Sequence, residues 1–525
     1  MAHISDKVSR TVGEYRFIPG YTREGVSKDT ISVKALLTKP CHSRPQIFLN
    51  LPVMSAAMQS VTGSGLGIAL AQLGGVGVIY CSQPIDEEAR MVREVKRAKA
   101  GFVTELEVVG PDTSVDDVIR LIEETGYNTI PVVEGDREKY GRLLGIIEGS
   151  TLEDLPPNMP AHQAMLEFRM ESREEMSARA KREASDSDLS RVIGEYVDYG
   201  IAGISLREAV EIMKGPGGQK KPQEKKYLPI VNPDGTLKAM VFMKDALASK
   251  EFPNAVVDED KRYLAAAAFN TRDHEERIPA LVDAGVDVLF LDTSDAYSHW
   301  VDKCLTFARG EFPAMPIIAG NIVSREAFEH LVKHDIDGIK VGMGSGSICI
   351  TTDEKGAGRG LATAIIEVAA ARDAYQMKGH PYVPIIADGG IKLGKDITMA
   401  LALGADSIMM GSYFAPCEES CAPRDSRDGR TYVWYWGEGS TRAKAWRGAR
   451  YNQNDFDEGV ESRLIAEGPV EEKLRSTFSR VYATMEGQGA ANMTELRDSR
   501  VELISDAAMA QASPHGVIVD SQQDK

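Results

Sequence analysis

Short apolar runs recur along the chain, and each is followed by glycine or small polar residues. Eight are found, at 51–54, 75–80, 265–269, 287–291, 316–319, 338–341, 384–387 and 407–410. Most are separated by stretches with the amphipathic pattern of a helix, such as 272–284, 325–334 and 396–403. This alternation of strand and helix in eight units predicts an α/β fold, a (β/α)8 barrel. An open, doubly wound sheet is the alternative, and eight regular units favour closure.

Polar residues and glycines follow these runs more densely than a structural loop requires. The active sites of (β/α)8 barrels lie at the C-terminal ends of the strands. The clustering therefore indicates an enzyme. The residues at these positions are Ser55, Met58, Asn270, Thr271, Arg272, Asp292, Thr293, Ser294, Gly320, Asn321, 342–352, Asp388, Gly389, Gly390, Gly411 and Ser412.

The loop after the sixth run carries the strongest chemical signal. It combines a glycine-dense turn, a hydroxyl pair and one cysteine, Cys349, in GSGSICITT. Glycines let backbone N–H groups approach an anion closely. A cysteine among such dipoles is a candidate for a reactive thiolate and for nucleophilic catalysis. An ordinary glycine-rich loop with an inert cysteine is the alternative.

The segment between the second and third runs, 102–250, has a different texture. Each half has a helix-like stretch, a strand with the pattern I/L-P-x-V, a turn and another strand. This order resembles a tandem pair of cystathionine-β-synthase (CBS) modules, and a purine nucleotide is the ligand that the resemblance suggests. A generic α/β insertion without a ligand is the alternative. The predicted domains are 1–101 and 251–525 for the barrel and 102–250 for the insert.

Composition narrows the class of partner. At 525 residues the chain is long enough for two domains, and its net charge of −17 disfavours nucleic acid and anionic membranes. An anionic ligand must then be held by backbone N–H groups and a few arginines. Six cysteines without a CxxC pair predict reduced thiols in the cytoplasm. No signal peptide or membrane span is expected, since no run approaches about 18 apolar residues.

Sequence motifs in chain order carry a resemblance over nearly the whole length. They are PVMSAAMQSVTG, FNTRD, LDTSD, AGNIV, GMGSGSICIT, ADGGI, MMGSYFA, YWGEGS, ARYNQ and DEGVES. With these motifs the chain resembles the inosine-5′-monophosphate (IMP) dehydrogenase family and looks most like its divergent protozoal branch. The resemblance implies NAD⁺-dependent oxidation of IMP to xanthosine 5′-monophosphate (XMP), a step of guanine nucleotide synthesis.

The resemblance also implies a covalent mechanism. Cys349 would attack C2 of the purine, hydride would pass to NAD⁺, and water would hydrolyse the thioimidate. A flap at about 443–456, bearing Arg450 and Tyr451, would activate that water. Thr351 and Glu458 would form a second proton relay, with Glu458 also facing purine N1.

Substrate contacts follow from the same resemblance. The phosphate is expected on backbone N–H groups of three loops, aided by two hydroxyls, the ribose on one carboxylate, and the purine between a methionine and a glycine-rich loop. The phosphate residues are Gly346, Ser347, Gly389, Gly390, Gly411, Ser412 and Tyr435. The ribose residue is Asp388, and the purine residues are Met58, Gly437, Glu438, Gly439 and Glu458.

The NAD⁺ and cation sites are implied in the same way. Asp292 would hold the nicotinamide ribose, beside Thr293, Ser294, Asn321 and Gly342, while Arg272 and Trp300 would sandwich the adenine. No GxGxxG fingerprint follows a βα unit, so a Rossmann site is not expected.

The cation expected by resemblance is K⁺. Carbonyls of Gly344, Gly346 and Cys349 would bind it, completed by a neighbouring subunit. Where the family has Glu-Gly-Gly, this chain has Gln511, Ala512 and Ser513. A cation site shared between neighbouring subunits predicts a ring, a homotetramer.

Guanosine-5′-monophosphate (GMP) reductase is the alternative activity. It shares the barrel and the cysteine loop but performs an NADPH-dependent deamination of GMP to IMP without a water-activating flap. The Arg450–Tyr451 pair favours the dehydrogenase. A non-catalytic protein that only binds regulatory ligands is disfavoured by Cys349, Thr351 and Asp388 occurring together.

Overall fold

The structure, a computed structural model, describes Ile4 and residues 8–98, 102–103, 106–125, 127–135, 140–152, 155–168, 199–204, 206–214, 226–243, 252–259, 261–445 and 455–515. The chain divides into two compact units. One comprises Met1–Ala98, Asn254–Asp258 and Tyr263–Lys525, and the other comprises Lys99–Pro253 and Glu259–Arg262. The second unit overlaps the predicted insert, 102–250.

The described strands and helices are numbered here in chain order. The strands are β1 (Tyr15–Phe17), β2 (Ala35–Leu36), β3 (Phe48–Leu49), β4 (Val53–Ser55), β5 (Val76–Ile79), β6 (Phe102–Val103), β7 (Thr129–Glu134), β8 (Arg142–Glu148), β9 (Leu166–Glu167), β10 (Gly200–Ile201), β11 (Tyr227–Val231), β12 (Leu237–Phe242), β13 (Ala266–Phe269), β14 (Val288–Asp292), β15 (Ile317–Ile322), β16 (Gly338–Val341), β17 (Ile385–Asp388), β18 (Ser407–Met410), β19 (Arg424–Arg427), β20 (Arg430–Trp436), β21 (Glu461–Ile465) and β22 (Val501–Leu503).

The α-helices are α1 (Ser64–Leu73), α2 (Ile85–Arg97), α3 (Val115–Thr125), α4 (Ala161–Ala164), α5 (Leu206–Lys214), α6 (His274–Asp283), α7 (His299–Glu311), α8 (Arg325–Leu331), α9 (Thr351–Lys355), α10 (Leu361–Met377), α11 (Gly394–Ala402), α12 (Thr441–Lys444), α13 (Val470–Gln488), α14 (Met493–Arg497) and α15 (Asp506–Gln511). Short 3₁₀ helices span Val12–Glu14, Gly149–Thr151 and Val332–His334. In the part of the chain that the structure describes, no helix is long and apolar enough to cross a membrane.

The first unit contains a closed parallel barrel. Its strand order is β13-β14-β15-β16-β17-β18-β4-β5, and β5 pairs with β13 to close the ring. Each of the eight predicted apolar runs supplies one strand, so the barrel is confirmed and the open sheet is wrong. Alternate residues of the strands pack together inside the ring, as the two-residue period of a strand requires. This core includes Met54, Val76, Val78, Ala266, Ala268, Val288, Phe290, Ile318, Ile386 and Met409.

Helices cover the outside of the barrel, and an additional antiparallel sheet precedes the last of these helices along the chain. After β18 the chain forms the antiparallel sheet β19-β20-β21. The chain then enters α13, which packs against both α11 and α1 and so occupies the eighth helix position. Glycine allows the tightest contact of helix and strand: a Cβ on Gly77 of β5 would lie 2.6 Å from the Cα of Gly67 in α1.

The second unit repeats one arrangement twice. In the first half α3 precedes the antiparallel pair β7-β8, and in the second half α5 precedes the antiparallel pair β11-β12. Both pairs shift register at the same place, between Val132 and Val133 and between Ile230 and Val231. Each shift follows a proline by one residue, Pro131 or Pro229. The halves are therefore equivalent in detail, and the assignment of the unit as a CBS pair stays a prediction.

Candidate active site

A cleft opens at the C-terminal ends of the barrel strands. Strand β15 and the loops after β4, β14, β16, β17 and β18 contribute to it, together with β20, the loop after β20 and the segment before β21. The predicted residues that line it are Met58, Asp292, Thr293, Ser294, Asn321, Gly342, Gly344, Gly346, Cys349, Thr351, Asp388, Gly389, Gly411, Tyr435, Gly437, Glu438, Gly439 and Glu458.

A chain of hydrogen bonds starts at the predicted nucleophile. The half-buried Cys349 thiol donates from Sγ to Thr351 Oγ1 over 3.2 Å, and Thr351 Oγ1 donates to Glu458 Oε2 over 3.0 Å. The Glu458 segment runs alongside the cysteine loop, because the Ile350 N–H donates to the Glu458 carbonyl at 3.0 Å. Every donor points toward the carboxylate, so the arrangement can carry a proton away from sulfur.

A lysine that the sequence interpretation missed completes this chain. Lys355 Nζ lies 2.8 Å from Glu458 Oε1. Thr351 and Lys355 are the first and last residues of α9, four positions apart, so both face Glu458 from one side of the helix. Glu458 itself is buried, with 2% of its surface exposed. Burying a carboxylate is costly unless it is paired and hydrogen-bonded, and Lys355 supplies such a pair. The four-residue spacing from Thr351 was the available signal.

A second missed lysine lies beside two carboxylates of the cleft lining. Lys340 is only 1% exposed, and its Nζ lies 2.7 Å from Asp292 Oδ1 and 3.9 Å from Asp388 Oδ2. Asn321 Nδ2 donates to Asp388 Oδ2 and to the Gly342 carbonyl, each at 2.8 Å. One ammonium thus lies between the two carboxylates predicted to bind different ribose groups. A lysine within an apolar strand was the signal.

Three loops meet closely where the phosphate is predicted. Gly389 and Gly390 have φ angles of +87° and +70°. A Cβ on Gly389 would lie 2.6 Å from Ser345 Oγ, and one on Gly411 would lie 2.9 Å from the Tyr435 hydroxyl. Side chains would therefore fill the space. Backbone N–H groups here without an acceptor among the described residues are those of Gly346, Ser347, Gly390 and Ser412.

Two details modify the predicted phosphate contacts. The Gly389 N–H donates to the Met409 carbonyl at 3.3 Å, because the pairing of β17 with β18 continues past the strand end. Burial raises the pKa of Tyr435 far above its usual value, although hydrogen bonding to Ser347 and Ser412 works in the opposite direction. The phenol therefore stays protonated and can donate to an anion.

Met58 and the 437–439 loop, which are predicted to contact the purine, both line the cleft. A Cβ on Gly411 would lie 3.0 Å from the Met58 sulfur. The Gln59 N–H donates to Glu438 Oε1 at 2.6 Å, which orients that carboxylate. A Cβ on Gly439 would lie 2.8 Å from the Glu458 Cβ, so the loop packs directly on the relay segment.

The model of the IMP dehydrogenase / GMP reductase domain matches residues 10–515. The chain belongs to this family. It is 36% identical over 529 residues to inosine-5′-monophosphate dehydrogenase from Tritrichomonas foetus, covering 99% of this chain and 98% of that protein. It is 33% identical to the inosine-5′-monophosphate dehydrogenase of Haemophilus influenzae, with 98% and 96% covered.

Solved structures of the IMP dehydrogenase / GMP reductase family give the same fold. A cysteine-to-alanine variant of GMP reductase from Trypanosoma brucei, in complex with guanosine 5′-monophosphate, matches with a TM-score of 0.79 and 25% identity. The match covers 98% of this chain and 99% of that one.

Several family residues predicted for the site do not line the cleft. Arg272 and Trp300 are outside its lining, and Trp300 is 57% exposed with Lys303 Nζ 5.2 Å from its ring. Their role in binding adenine stays a prediction. The remaining residues outside the lining are Ser347, Gly390, Ser412, Gln511, Ala512 and Ser513.

The flap residues Arg450 and Tyr451 lie outside the described residues. The ends of that segment are described. Lys444 Nζ and Asp457 Oδ1 are 2.9 Å apart, so an ion pair joins the two sides of the segment at its base.

Proposed function

We propose that this protein oxidises IMP to XMP with NAD⁺ as the hydride acceptor. The hydrogen-bond chain Cys349–Thr351–Glu458, in a cleft with a glycine-rich anion cradle, is the observation that carries the proposal. The relatives named inosine-5′-monophosphate dehydrogenase support the same activity. XMP is a precursor of guanine nucleotides, so the proposed role is in purine synthesis.

The first half-reaction uses Cys349 as the nucleophile. Its thiol proton passes to Thr351 while the hydroxyl proton of Thr351 passes to Glu458. The sulfur electron pair then forms a bond to C2 of the purine, and the C2 hydrogen departs with its electron pair. NAD⁺ supplies the acceptor for that hydride. The product is a thioimidate, which divides a difficult oxidation into two easier steps.

The proposed NAD⁺ residues fit a polar ligand. The buried Asn321 Oδ1 has no hydrogen-bond partner among the described residues, and buried polar atoms are rarely left in that state. Thr293 and Ser294 line the cleft beside Asp292. We infer that these groups hold the nicotinamide half, because the Asn321 oxygen offers an acceptor to an amide or a hydroxyl.

The second half-reaction hydrolyses the thioimidate. Water adds to C2, sulfur leaves with the C–S electron pair, and one water proton is removed. Thr351 and Glu458 supply one route for that proton. By family resemblance, Arg450 and Tyr451 supply the other. In an Arg450→Ala variant we therefore expect a stoichiometric burst of NADH followed by a slow steady state.

A monovalent cation and a ring of subunits belong to the same proposal. Carbonyls of Gly344, Gly346 and Cys349 would hold K⁺ from one subunit. A neighbouring subunit would contribute Gln511 to Ser513, which follow the C-terminal end of α15. The last carbonyls of a helix have no partner within it, and this end carries the negative pole of the helix dipole. This end suits a cation, although the glycines of the family are replaced. The proposed assembly is a homotetramer.

The second unit is proposed to be a CBS pair that binds a purine nucleotide. Its two equivalent halves support the assignment. The proposal locates all catalytic groups in the first unit, so replacing 102–250 with a short Gly/Ser linker should keep activity within about tenfold.

GMP reductase is the competing function, favoured by the likeness to the Trypanosoma brucei enzyme. One experiment decides between them. Purified protein is mixed with IMP, NAD⁺ and KCl, and separately with GMP and NADPH, while the absorbance of the reduced cofactor is followed. Formation of NADH in the first mixture supports the dehydrogenase. Consumption of NADPH with release of ammonia in the second mixture, and no NADH in the first, would overturn it.

A further inference from the structure

Two histidines and one aspartate converge on the outside of the barrel, away from the cleft lining. They are Asp302, His330 and His334. From this geometry we propose a binding site for a divalent transition-metal ion, with Zn²⁺ as the best match. The proposal does not depend on the proposed enzymatic activity, because none of the three residues lines the cleft.

The three side chains come from α7, from α8 and from the 3₁₀ helix that follows α8 directly. His330 lies in the last turn of α8, and His334 ends the following 3₁₀ helix, four residues later. That spacing puts both imidazoles on one face. Asp302 faces them from the first turn of α7. His330 Nε2 is 2.7 Å and His334 Nε2 is 3.0 Å from the same atom, Asp302 Oδ1.

The distances are close to those of a bound ion. The three ligand atoms lie within 4.8 Å of one another. Zinc bonds of about 2.0–2.2 Å to nitrogen and oxygen put neighbouring ligands of a tetrahedron about 3.3 Å apart. Lengthening the two distances from Asp302 Oδ1, 2.7 and 3.0 Å, by roughly 0.3–0.6 Å would bring both to that separation.

Hydrogen bonds alone would leave part of the bonding capacity of these three side chains unused. A carboxylate oxygen only accepts, so each imidazole must carry its proton on Nε2 to bond, and both donors then share one oxygen. An ion lets both Nε2 lone pairs and the carboxylate act as ligands, once each Nε2 proton has moved to its own Nδ1 or to solvent. Two imidazoles and one carboxylate favour Zn²⁺ over the harder Mg²⁺ and Ca²⁺.

The ion would connect two helices that follow cleft strands. Helix α7 follows β14, which ends at Asp292, and α8 follows β15, which carries Asn321. The three side chains are 21–34% exposed, so ions and a coordinated water can reach them. We expect the site to stabilise the packing of α7 on α8 and to leave the chemistry at Cys349 unchanged.

The test is a titration of tag-free protein that has been stripped with a chelator and dialysed. Calorimetry should show one Zn²⁺ ion bound per chain at this site. Saturating Zn²⁺ should raise Tm by roughly 2 °C or more. Asp302→Asn and His334→Gln should lose both effects. Asp302→Asn keeps an acceptor for the imidazoles, so it should fold without the ion. His380→Gln removes a histidine elsewhere in the first unit and should retain both effects.

Cobalt substitution identifies the ligands. Co²⁺ in place of Zn²⁺ should give the visible bands of a nitrogen- and oxygen-ligated four-coordinate ion, lost in His334→Gln. Thiolate-to-metal bands would instead assign binding to the free cysteines. No binding by the unsubstituted protein, or unchanged binding in both Asp302→Asn and His334→Gln, would also overturn the proposal.

Discussion

The two ends of the barrel strands use the same residue types in different ways. At the N-terminal end, an aspartate immediately precedes every second strand from β14 to β18. Its Oδ2 accepts the N–H of the residue that begins the preceding strand or, for β13, comes immediately before it, and its own N–H donates to the carbonyl of that same residue. The pairs are Asp287 with Ala265, Asp337 with Ile317, and Asp406 with Ile385, with Oδ2 distances of 2.7, 2.9 and 2.7 Å.

Buried or half-buried cations complete each of these N-terminal clusters. Asp337 pairs with Arg44 at 2.8 Å and with Arg309 at 2.9 Å. The other pairs are Asp287 with Lys96, and Asp406 with Arg372 and Arg497. Both oxygens of each carboxylate have partners, so no acceptor is left for a ligand.

The C-terminal end is less saturated. Lys340 lies between Asp292 and Asp388, and the buried Asn321 Oδ1 has no partner among the described residues. Asp337 and Lys340 stand only three residues apart, so one strand joins a saturated cluster to an open one. Saturated polar groups stabilise the fold, whereas unsaturated ones are available to bind a substrate.

The largest effect should come from the open end. We expect Cys349→Ser to lower NADH formation by at least about 10³-fold, because serine cannot replace the thiolate as nucleophile and leaving group. The affinity for IMP by calorimetry and the Tm should stay unchanged. Normal turnover by the serine variant would remove the covalent mechanism.

At the saturated end, Asp337→Asn should reduce stability rather than chemistry. The neutral amide no longer balances the positive charges of Arg44 and Arg309 at this buried position. The loss should lower the free energy of unfolding by about 3 kcal/mol. Denaturant unfolding measures this, and the activity per folded molecule should persist. A variant of unchanged stability with impaired catalysis would reverse the contrast between the two ends.

Lys340→Met tests whether the contact of Lys340 with Asp292 and Asp388 serves the chemistry at the C-terminal ends of the strands. Removing the ammonium takes away the cation that lies 2.7 Å from Asp292, and we expect kcat/KM to fall by about 10²-fold, mainly through KM. Lys340→Arg should restore part of the loss because it keeps the charge. If Lys340→Met instead loses as much stability as Asp337→Asn with normal KM values, Lys340 belongs with the structural clusters.

Lys355→Gln should have a smaller effect on the relay. With its ion pair to Glu458 lost, we expect kcat to fall by about tenfold while KM for IMP changes little. Lys355→Arg should recover activity, and Lys395→Gln, at an exposed lysine, provides the control. An unchanged kcat in Lys355→Gln would exclude it from positioning Glu458.

The smallest effect concerns Asp335, a half-exposed neighbour of the Asp337 cluster. Burial alone would raise its pKa, but hydrogen bonds from Arg44 and Lys39 outweigh burial and lower the pKa to about 2. A carboxyl group whose pKa is lowered by folding stabilises the folded state at pH values above its usual pKa. This contribution is lost as the pH falls from about 4 through about 2. Asp335→Asn should therefore cost less than about 1 kcal/mol at pH 7, after screening by solvent, and much less near pH 2. An equal cost at both pH values would contradict the ionic origin.

The sequence allowed all eight barrel strands and most of the cleft lining to be predicted. Strand positions follow from local apolar runs, and Cys349 stands in a distinctive loop. Lys340 was hidden within an apolar run, and its partner Asp292 is 48 residues away. The aspartates at the N-terminal ends were missed because their partners are remote, with 293 positions separating Arg44 from Asp337. An acidic residue preceding three apolar runs was the pattern that could have revealed them.

The reciprocal bonds of these aspartates also fix distances around the ring. Parallel barrel strands are buried on both faces, so their hydrophobic pattern discriminates poorly between neighbouring registers. A slip of β16 by two residues would carry the Asp337 carboxylate about 6.6 Å from the Ile317 N–H. The registers around a closed ring add up to its shear, which sets strand tilt and barrel diameter. Three aspartates outside the cleft lining therefore help to set the width of the ring on whose far rim Asp292, Asn321 and Asp388 stand.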